Sequence, residues 1–298
     1  MKDGYILGLD VGGTHIRMGM VDRALRAHGV EVTSSRSLFH EPDPLAALAQ
    51  VIRGYLEAAP CRPALVCAGL PAVLDAERRR VQSATNFPGL AGRDVVETLE
   101  RLLDMPVRIE HDAYYLLAYD IMASGLANEG VMLGFYFGTG MGNAMYIDGK
   151  PYTGRNGAAC EIGHMPVPLG RRPCSCGNVG CIEMYCCGKA FEELARTSFP
   201  GEPLSGFFAR HAGHPKLVEF VRMMAAVIAA EVNIMDPRAV FIGGGLVHME
   251  GFPRQTLVQY VLDNTRKPYP AANLDCRFSS SDPQSGIIGA AIEGWRLL

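Results

Sequence analysis

Tyr5-Ile6-Leu7-Gly8-Leu9-Asp10-Val11-Gly12-Gly13-Thr14 is the stretch on which the fold turns. Roughly 130 residues later the chain restarts it, as Met132-Leu133-Gly134-Phe135-Tyr136-Phe137-Gly138-Thr139-Gly140-Met141-Gly142. Each copy is an apolar run with the composition of a buried strand, ending in clustered glycines. A second strand-like run follows each, Ile16 to Val21 and Ala144 to Ile147. That pattern predicts a hairpin with a glycine-rich tip. A repeat at this spacing is a domain-scale duplication, so the expected fold is α/β, with two like domains facing a cleft.

The bulk properties agree. A chain of 298 residues with 48% hydrophobic and 20% charged content is that of an ordinary globular protein of two domains. A formal net charge of -3 gives no electrostatic footing for nucleic acid or an anionic membrane. The longest strictly apolar run, Met223 to Ala230, stops at Glu231, far short of a membrane span. Met1-Lys2-Asp3-Gly4 leads straight into the first strand, so no signal peptide is expected, and the nine cysteines show no disulfide spacing. The expected location is cytoplasmic.

Taken in order, the first glycine tip (Gly12, Gly13, Thr14) lets backbone N–H groups converge on an anion, and Asp10 is placed to hold a divalent cation through its waters. A plain hairpin turn with a solubilising Asp reads the same way. A third strand is expected over Val30 to Leu38, followed by an amphipathic helix through Leu45 to Leu56 behind Pro42 and Pro44. Asp75 to Arg80 has the composition of a solvated hairpin tip. Asn86 lies in a loop. Val107 to Asp112 is a strand whose carboxyl end carries Asp112, where open α/β sheets place ligands, although an Asp there also caps a helix. Ala239 to Gly243 predicts a strand running into Gly243-Gly244-Gly245, where missing side chains admit a flat ligand. The last helix, from about Ser285, carries Gly286 and Gly289 on a face that must pack closely.

Between Gly157 and Glu183 lies a second kind of site. Cys174, Cys176 and Cys181 with His164 make a complete tetrahedral set for a structural zinc, with no open position for catalysis. The two glycines between Cys176 and Cys181 suit a ligand turn that needs positive φ. Zinc closure would also draw Glu161 and Glu183 together. A knuckle serving stability alone has the same spacing.

No P-loop is present, and no Gly-x-Gly-x-x-Gly follows a strand and opens a helix. Two glycine hairpins and a third glycine strand end suit a nucleoside triphosphate instead. Phosphoryl transfer needs phosphate cradling, a divalent cation and a base beside the acceptor hydroxyl. Asp112 is the candidate base. Asn86, Glu161, His164 and Glu183 offer the donors and acceptors that a polyhydroxylated ligand requires.

Asp10-Val-Gly-Gly-Thr, Gly138-Thr-Gly-Met-Gly, Gly157-x-x-x-Glu-Ile-Gly-His, Cys-x-Cys-Gly-x-x-Gly-Cys-x-Glu and Gly243-Gly-Gly together resemble the ROK family of repressors, open reading frames and sugar kinases. The resemblance spans essentially the whole chain. It implies an actin-like ATPase (ribonuclease H-like) fold of two domains with duplicated βββαβαβα cores and a structural zinc loop. The expected boundaries are 1-117, completed by about 285-298, and 118-284. It further implies ATP with Mg2+, bound by Asp10, Gly12, Gly13, Thr14, Gly138, Thr139, Gly140, Gly142 and Gly243 to Gly245. By the same resemblance Asp112 is the general base for transfer to a hexose 6-hydroxyl. Asn86, His111, Glu161, His164 and Glu183 line the sugar, and His164, Cys174, Cys176 and Cys181 hold Zn2+. A homodimer is implied as well.

Within the family, Thr14-His-Ile-Arg, Asp236-Pro-x-Ala-Val and Phe252-Pro-Arg-x-Thr-Leu resemble the D-allose kinases, which implies D-allose as acceptor, with glucose or N-acetylmannosamine as alternatives. Members acting on glucose or mannosamine usually carry Asn before the catalytic Asp; here it is His111, expected to reshape the pocket around the 3-hydroxyl. Repressors of the family carry a helix-turn-helix ahead of the first glycine hairpin, for which this sequence leaves no room.

Overall fold

In a computed structural model of the chain, residues 4–36, 38–84 and 87–298 are described, and the side chain of Pro88 is not. The chain divides into two compact units. The first takes Met1–Leu126, Thr153–Ala159 and Asp282–Leu298; the second takes Ala127–Tyr152 and Cys160–Ser281.

In the first unit the order is β1 (Ile6–Val11), β2 (His15–Val21), β3 (Ala27–Ser34), α1 (Pro44–Ala58), β4 (Leu65–Leu70), a small hairpin of β5 (Val73–Leu74) and β6 (Val81–Ser83), α2 (Val95–Leu103), β7 (Val107–His111) and α3 (Asp112–Ser124). Its main sheet runs β3-β2-β1-β4-β7, antiparallel across the first three strands and parallel from β1 onward. The second unit contains β8 (Val131–Phe137), β9 (Met141–Ile147), β10 (Lys150–Pro151), α4 (Glu183–Cys186), α5 (Gly188–Ser198), α6 (Phe207–Arg210), α7 (Pro215–Met235), β11 (Ala239–Gly243), α8 (Arg254–Asn264) and β12 (Cys276–Phe278). Its sheet runs β10-β9-β8-β11-β12, the same order and the same pattern of directions. The duplication read from the two glycine hairpins is therefore a duplication of topology.

Alternation along β1 sorts its side chains between two helical layers. Leu7, Leu9 and Val11 join Leu45, Leu48, Val96 and Leu99 in a core under α1 and α2. Ile6 packs with Leu65, Cys67, Tyr115 and Ile287 on the other face, under α3 and the C-terminal helix α9 (Ser285–Arg296). The close approach expected of α9 is present: a Cβ on Gly289 would stand 1.8 Å from the Tyr115 carbonyl oxygen, and one on Gly286 would stand 3.0 Å from Asp10 Cβ. Helix α1 starts behind Pro44, as expected, and both α1 and α2 carry an aspartate cap. Asp43 caps α1 with Pro44 in its first turn, and Asp94 caps α2 through the Glu97 N–H.

One expectation fails. The third strand lies at Ala27–Ser34, and Leu38 opens a buried 3-10 turn instead of ending that strand. The apolar rows near Leu38 pack against Phe87 and the start of α1, and that tertiary contact outweighs strand propensity. Glu231, which ends the apolar run in sequence, is 6% exposed within α7. Asn143 donates to Glu231 Oε2 at 2.9 Å and to the Gly134 carbonyl at 3.0 Å, and Asn143 Oδ1 is buried without a partner among the described residues.

Burial lifts the Glu231 carboxyl from 4.5 to about 7. A folded pKa above the unfolded value means that the folded chain binds the extra proton. Stability contributed by that proton is present in acid and is lost as pH rises through about 7. Glu231→Gln keeps an acceptor for Asn143 and carries no charge. It is expected to match the parent near pH 5 and to exceed it near pH 8 by on the order of 2–3 kcal/mol. Thermal melts at the two pH values check this; a variant less stable than the parent in the alkaline buffer contradicts it.

Candidate active site and metal centre

The first unit gathers one group of expected site residues. Asp10 and Gly69 are register partners on β1 and β4, and Asp112 follows β7 directly as the first residue of α3. Gly69 keeps the space between them clear, since a Cβ there would come within 3.3 Å of Asp112 Cα and 3.0 Å of the Tyr115 ring. Burial is the main reason that the Asp10 carboxyl is raised to about 6, and the negative charge of Asp112 adds to it. Arg17, the register partner of Asp10 across the hairpin, places Nη1 3.3 Å from Asp10 Oδ2 and opposes that rise. Sequence reading passed over Arg17; its position opposite Asp10 in the hairpin was the available signal. A half-buried carboxylate near a second one has the chemistry to seat a divalent cation.

The glycine tip is built for backbone access. Gly12 N–H is used internally by the His15 carbonyl at 2.9 Å, and its own carbonyl accepts from Ser35 Oγ at 2.7 Å. Gly13 is exposed, a Cβ there would meet nothing within 4 Å, and Thr14 is exposed beside it.

Asp112 is not the cap of α3; His111 is, with Nδ1 accepting the Ala113 N–H at 3.2 Å. Asp112 Oδ1 shares that N–H at 2.8 Å and lies 3.2 Å from His111 Nδ1. Asn86 lies outside the described residues.

The second unit gathers the rest. Ligand atoms of His164, Cys174, Cys176 and Cys181 all lie within 4.8 Å of one another. Cys176 and Cys181 sulfurs are 3.6 Å apart, and His164 Nδ1 is 3.5 Å from Cys174 Sγ. The edge of a zinc–thiolate tetrahedron is about 3.8 Å, so this donor set fits a closed zinc site. Gly177 and Gly180 take φ of +95° and +85°, the left-handed turns that the spacing called for. Backbone N–H donation from Asn178 holds the exposed Cys176 thiol below its ordinary value, whereas burial pushes the Cys181 thiol up to about 12.

The carboxylates hang on this cluster. His164 turns its other nitrogen, Nε2, to Glu161 Oε2 at 3.5 Å, so one ring links the cysteine cluster to a carboxylate. Glu183 Oε1 lies 3.9 Å from Cys174 Sγ, and its Oε2 accepts the Met141 N–H at 3.1 Å, at the second glycine tip. Gly140 makes this possible, because a Cβ would sit 2.9 Å from that oxygen. Around it, Gly138 and Thr139 carbonyls accept the N–H groups of Gly188 and Lys189, and Gly142 pairs with Tyr136 inside the β8–β9 ladder.

The third glycine cluster needs a partial correction. At Gly243 a Cβ would meet Ser279 Oγ at 2.6 Å, and at Gly244 (φ +92°) it would meet the Phe137 carbonyl at 2.4 Å. These two glycines serve packing inside the unit, and only Gly245 leaves open space of the kind a flat ligand needs. The larger correction is Arg78. Far from being solvated, its side chain is 15% exposed, with Nε 3.2 Å from Glu110 Oε2, and Nη1 donates to the Gly157 carbonyl at 2.7 Å.

Two sheets of one order, each opening on a glycine-tipped hairpin, with a carboxylate at the end of β1 and another after β7, define a phosphotransferase of the actin-like ATPase (ribonuclease H-like) fold. Solved structures agree: a ROK family glucokinase from Streptomyces griseus in complex with glucose and AMPPNP superposes with a TM-score of 0.79 at 23% identity, covering 97% of this chain and 98% of that one. A ROK hexokinase from Thermus thermophilus gives 0.77 at 25% identity, with 97% of each chain covered. An N-acetyl-D-glucosamine kinase of Pectobacterium carotovorum subsp. carotovorum (strain PC1) is 31% identical over 273 residues, 82% of this chain and 84% of its own length. The profile of the ROK family matches residues 6–293, and the chain belongs to that family.

Proposed function

We propose that this chain is an ATP-dependent hexose kinase that transfers the γ-phosphoryl group to the 6-hydroxyl of an aldohexose, with Asp112 as general base. The observation that carries this reading is the placement of Asp10 on β1 and Asp112 after β7, on either side of Gly69 on the intervening strand β4, beside an open glycine tip. The acceptor oxygen forms a bond to the γ-phosphorus, the bridging bond to ADP breaks, and the hydroxyl proton passes to the Asp112 carboxylate. Magnesium held by Asp10 supplies charge neutralisation to the phosphates when bound. The exposed backbone of Gly13 and Thr14 cradles phosphate oxygens. In the second unit, Glu161, His164 and Glu183 are the sugar's partners. His164, Cys174, Cys176 and Cys181 would hold zinc, which would supply a fixed reference for Glu161 and Glu183.

D-allose is the acceptor we propose, on the motif resemblance and on His111. The relatives named N-acetyl-D-glucosamine kinase support that sugar as a second acceptor. His111 stands next to the base, and its imidazole is a chemically different neighbour from an Asn amide. Steady-state kinetics across D-allose, glucose, mannose, N-acetylglucosamine and N-acetylmannosamine test the proposal. D-allose is expected to give the highest kcat/KM, and His111→Asn to cut the allose-to-glucose ratio about tenfold or more, the scale of one hydrogen bond lost from a sugar site. A ratio unmoved by the substitution sinks the role of His111, and ATP consumption with none of these sugars sinks the kinase.

A further inference from the structure

We propose that Arg78 is a positioning residue for the Asp112 site: its guanidinium ties the end of β7 to the Thr153–Ala159 loop and so fixes where α3 begins. This rests on the reading of Asp112 as the base. Three links, all inside the first unit, carry it. Arg78 Nη1 donates to the Gly157 carbonyl at 2.7 Å. Arg78 Nε lies 3.2 Å from Glu110 Oε2 as an ion pair without hydrogen-bond alignment, the two side chains being 15% and 13% exposed, and Nε and Nη2 have no hydrogen-bond partner among the described residues. Glu110 Oε1 then accepts the His111 N–H at 2.8 Å, one residue before Asp112.

The hairpin that presents Arg78 is itself rigid. Asp75 Oδ1 accepts the N–H groups of Arg79 and Arg80 at 2.7 and 2.9 Å, and Arg78 takes φ of +56° in that turn. Gly157 lies flush on the same hairpin, at φ +79°, where a Cβ would come within 2.5 Å of the Leu74 and Asp75 carbonyls. Among the described residues β7 is the edge strand of its sheet, with no strand beyond it to hold its carboxyl end. The Arg78–Glu110 pair does that work. Arginine suits the role because its planar fork reaches a carboxylate and a carbonyl at once, which a lysine ammonium on a flexible stem does not.

Removing Arg78 alone would strand a buried carboxylate and endanger folding, whereas replacing both partners by apolar groups of similar size preserves it. The test therefore compares Arg78→Lys, the double variant Arg78→Met/Glu110→Met, Asp112→Asn, and all three substitutions together. Sugar and ATP are varied separately, and rates are normalised to folded protein. The double variant is expected to lose about a hundredfold in kcat, the cost of misplacing a reacting group by about 1 Å, with the sugar KM raised and the ATP KM within about twofold of the parent. Arg78→Lys should fall between the two. On the Asp112→Asn background the double variant should cost little further kcat. A double variant with parental kcat and sugar KM, or one whose two KM values rise together, overturns the positioning role. Substantial turnover by Asp112→Asn overturns the base instead, so the two failures are told apart.

Discussion

Asp112→Asn is expected to lower kcat by about three to four orders of magnitude while leaving the fold, the zinc content and sugar binding nearly intact. Asparagine keeps a side-chain oxygen that can accept the Ala113 N–H, the bond that Asp112 Oδ1 makes at 2.8 Å, so α3 should start where it does now. The His111 cap is untouched as well. What disappears is the acceptor for the hydroxyl proton, because an amide oxygen is too weak a base to take it late in the transfer. The variant also removes the negative charge that adds to the rise of the Asp10 carboxyl, so Asp10 should titrate lower than its present value of about 6. Single-turnover rates with pre-bound sugar, together with calorimetric sugar affinity, measure both halves. Turnover within tenfold of the parent would remove Asp112 as base.

The second large effect belongs to the metal centre. Cys176→Ser is expected to reduce bound zinc from about one per chain to a small fraction and to weaken sugar affinity about ten- to a hundredfold. Cys176 is the exposed member of the trio, so its replacement disturbs packing least. Without the ion, nothing ties Cys174 and Cys181 to His164, which loses the bond that orients its ring. Glu161, 3.5 Å from His164 Nε2, and Glu183, 3.9 Å from Cys174 Sγ, would then lose their common reference. Elemental analysis reads the zinc and calorimetry reads the sugar. Parental sugar affinity in a zinc-free variant would reduce the centre to a stabilising knuckle.

Much of the fold was legible because its signals are local. Glycine-tipped hairpins, the Asp43 and Asp94 caps, the apolar stripe of α7 and the small face of α9 are each written within one short segment. The metal cluster was legible for the same reason, since three of its four ligands fall within one turn-rich loop. What sequence hid was set by partners far along the chain. Arg78 resembles its solvated neighbours Arg79 and Arg80 until Glu110 and Gly157 are brought to it by β7 and by a distant loop. Glu231 looks like the polar end of an apolar run, and only the packing of α7 against β9 delivers Asn143. Gly243 and Gly244 have the composition of a ligand site, but Ser279 and Phe137 claim their empty space. Glycine records that room is needed, not who needs it.

The central claim is transfer of the γ-phosphoryl group of ATP to the 6-hydroxyl of an aldohexose. The most direct measurement is a phosphorus and proton-coupled carbon NMR spectrum of the product formed from ATP and D-allose, with the 6-deoxy sugar run alongside. The account predicts one equivalent of ADP, a phosphomonoester coupled to carbon 6, and no product from the 6-deoxy sugar. A phosphate on any other carbon, or equal turnover of the 6-deoxy sugar, would contradict it.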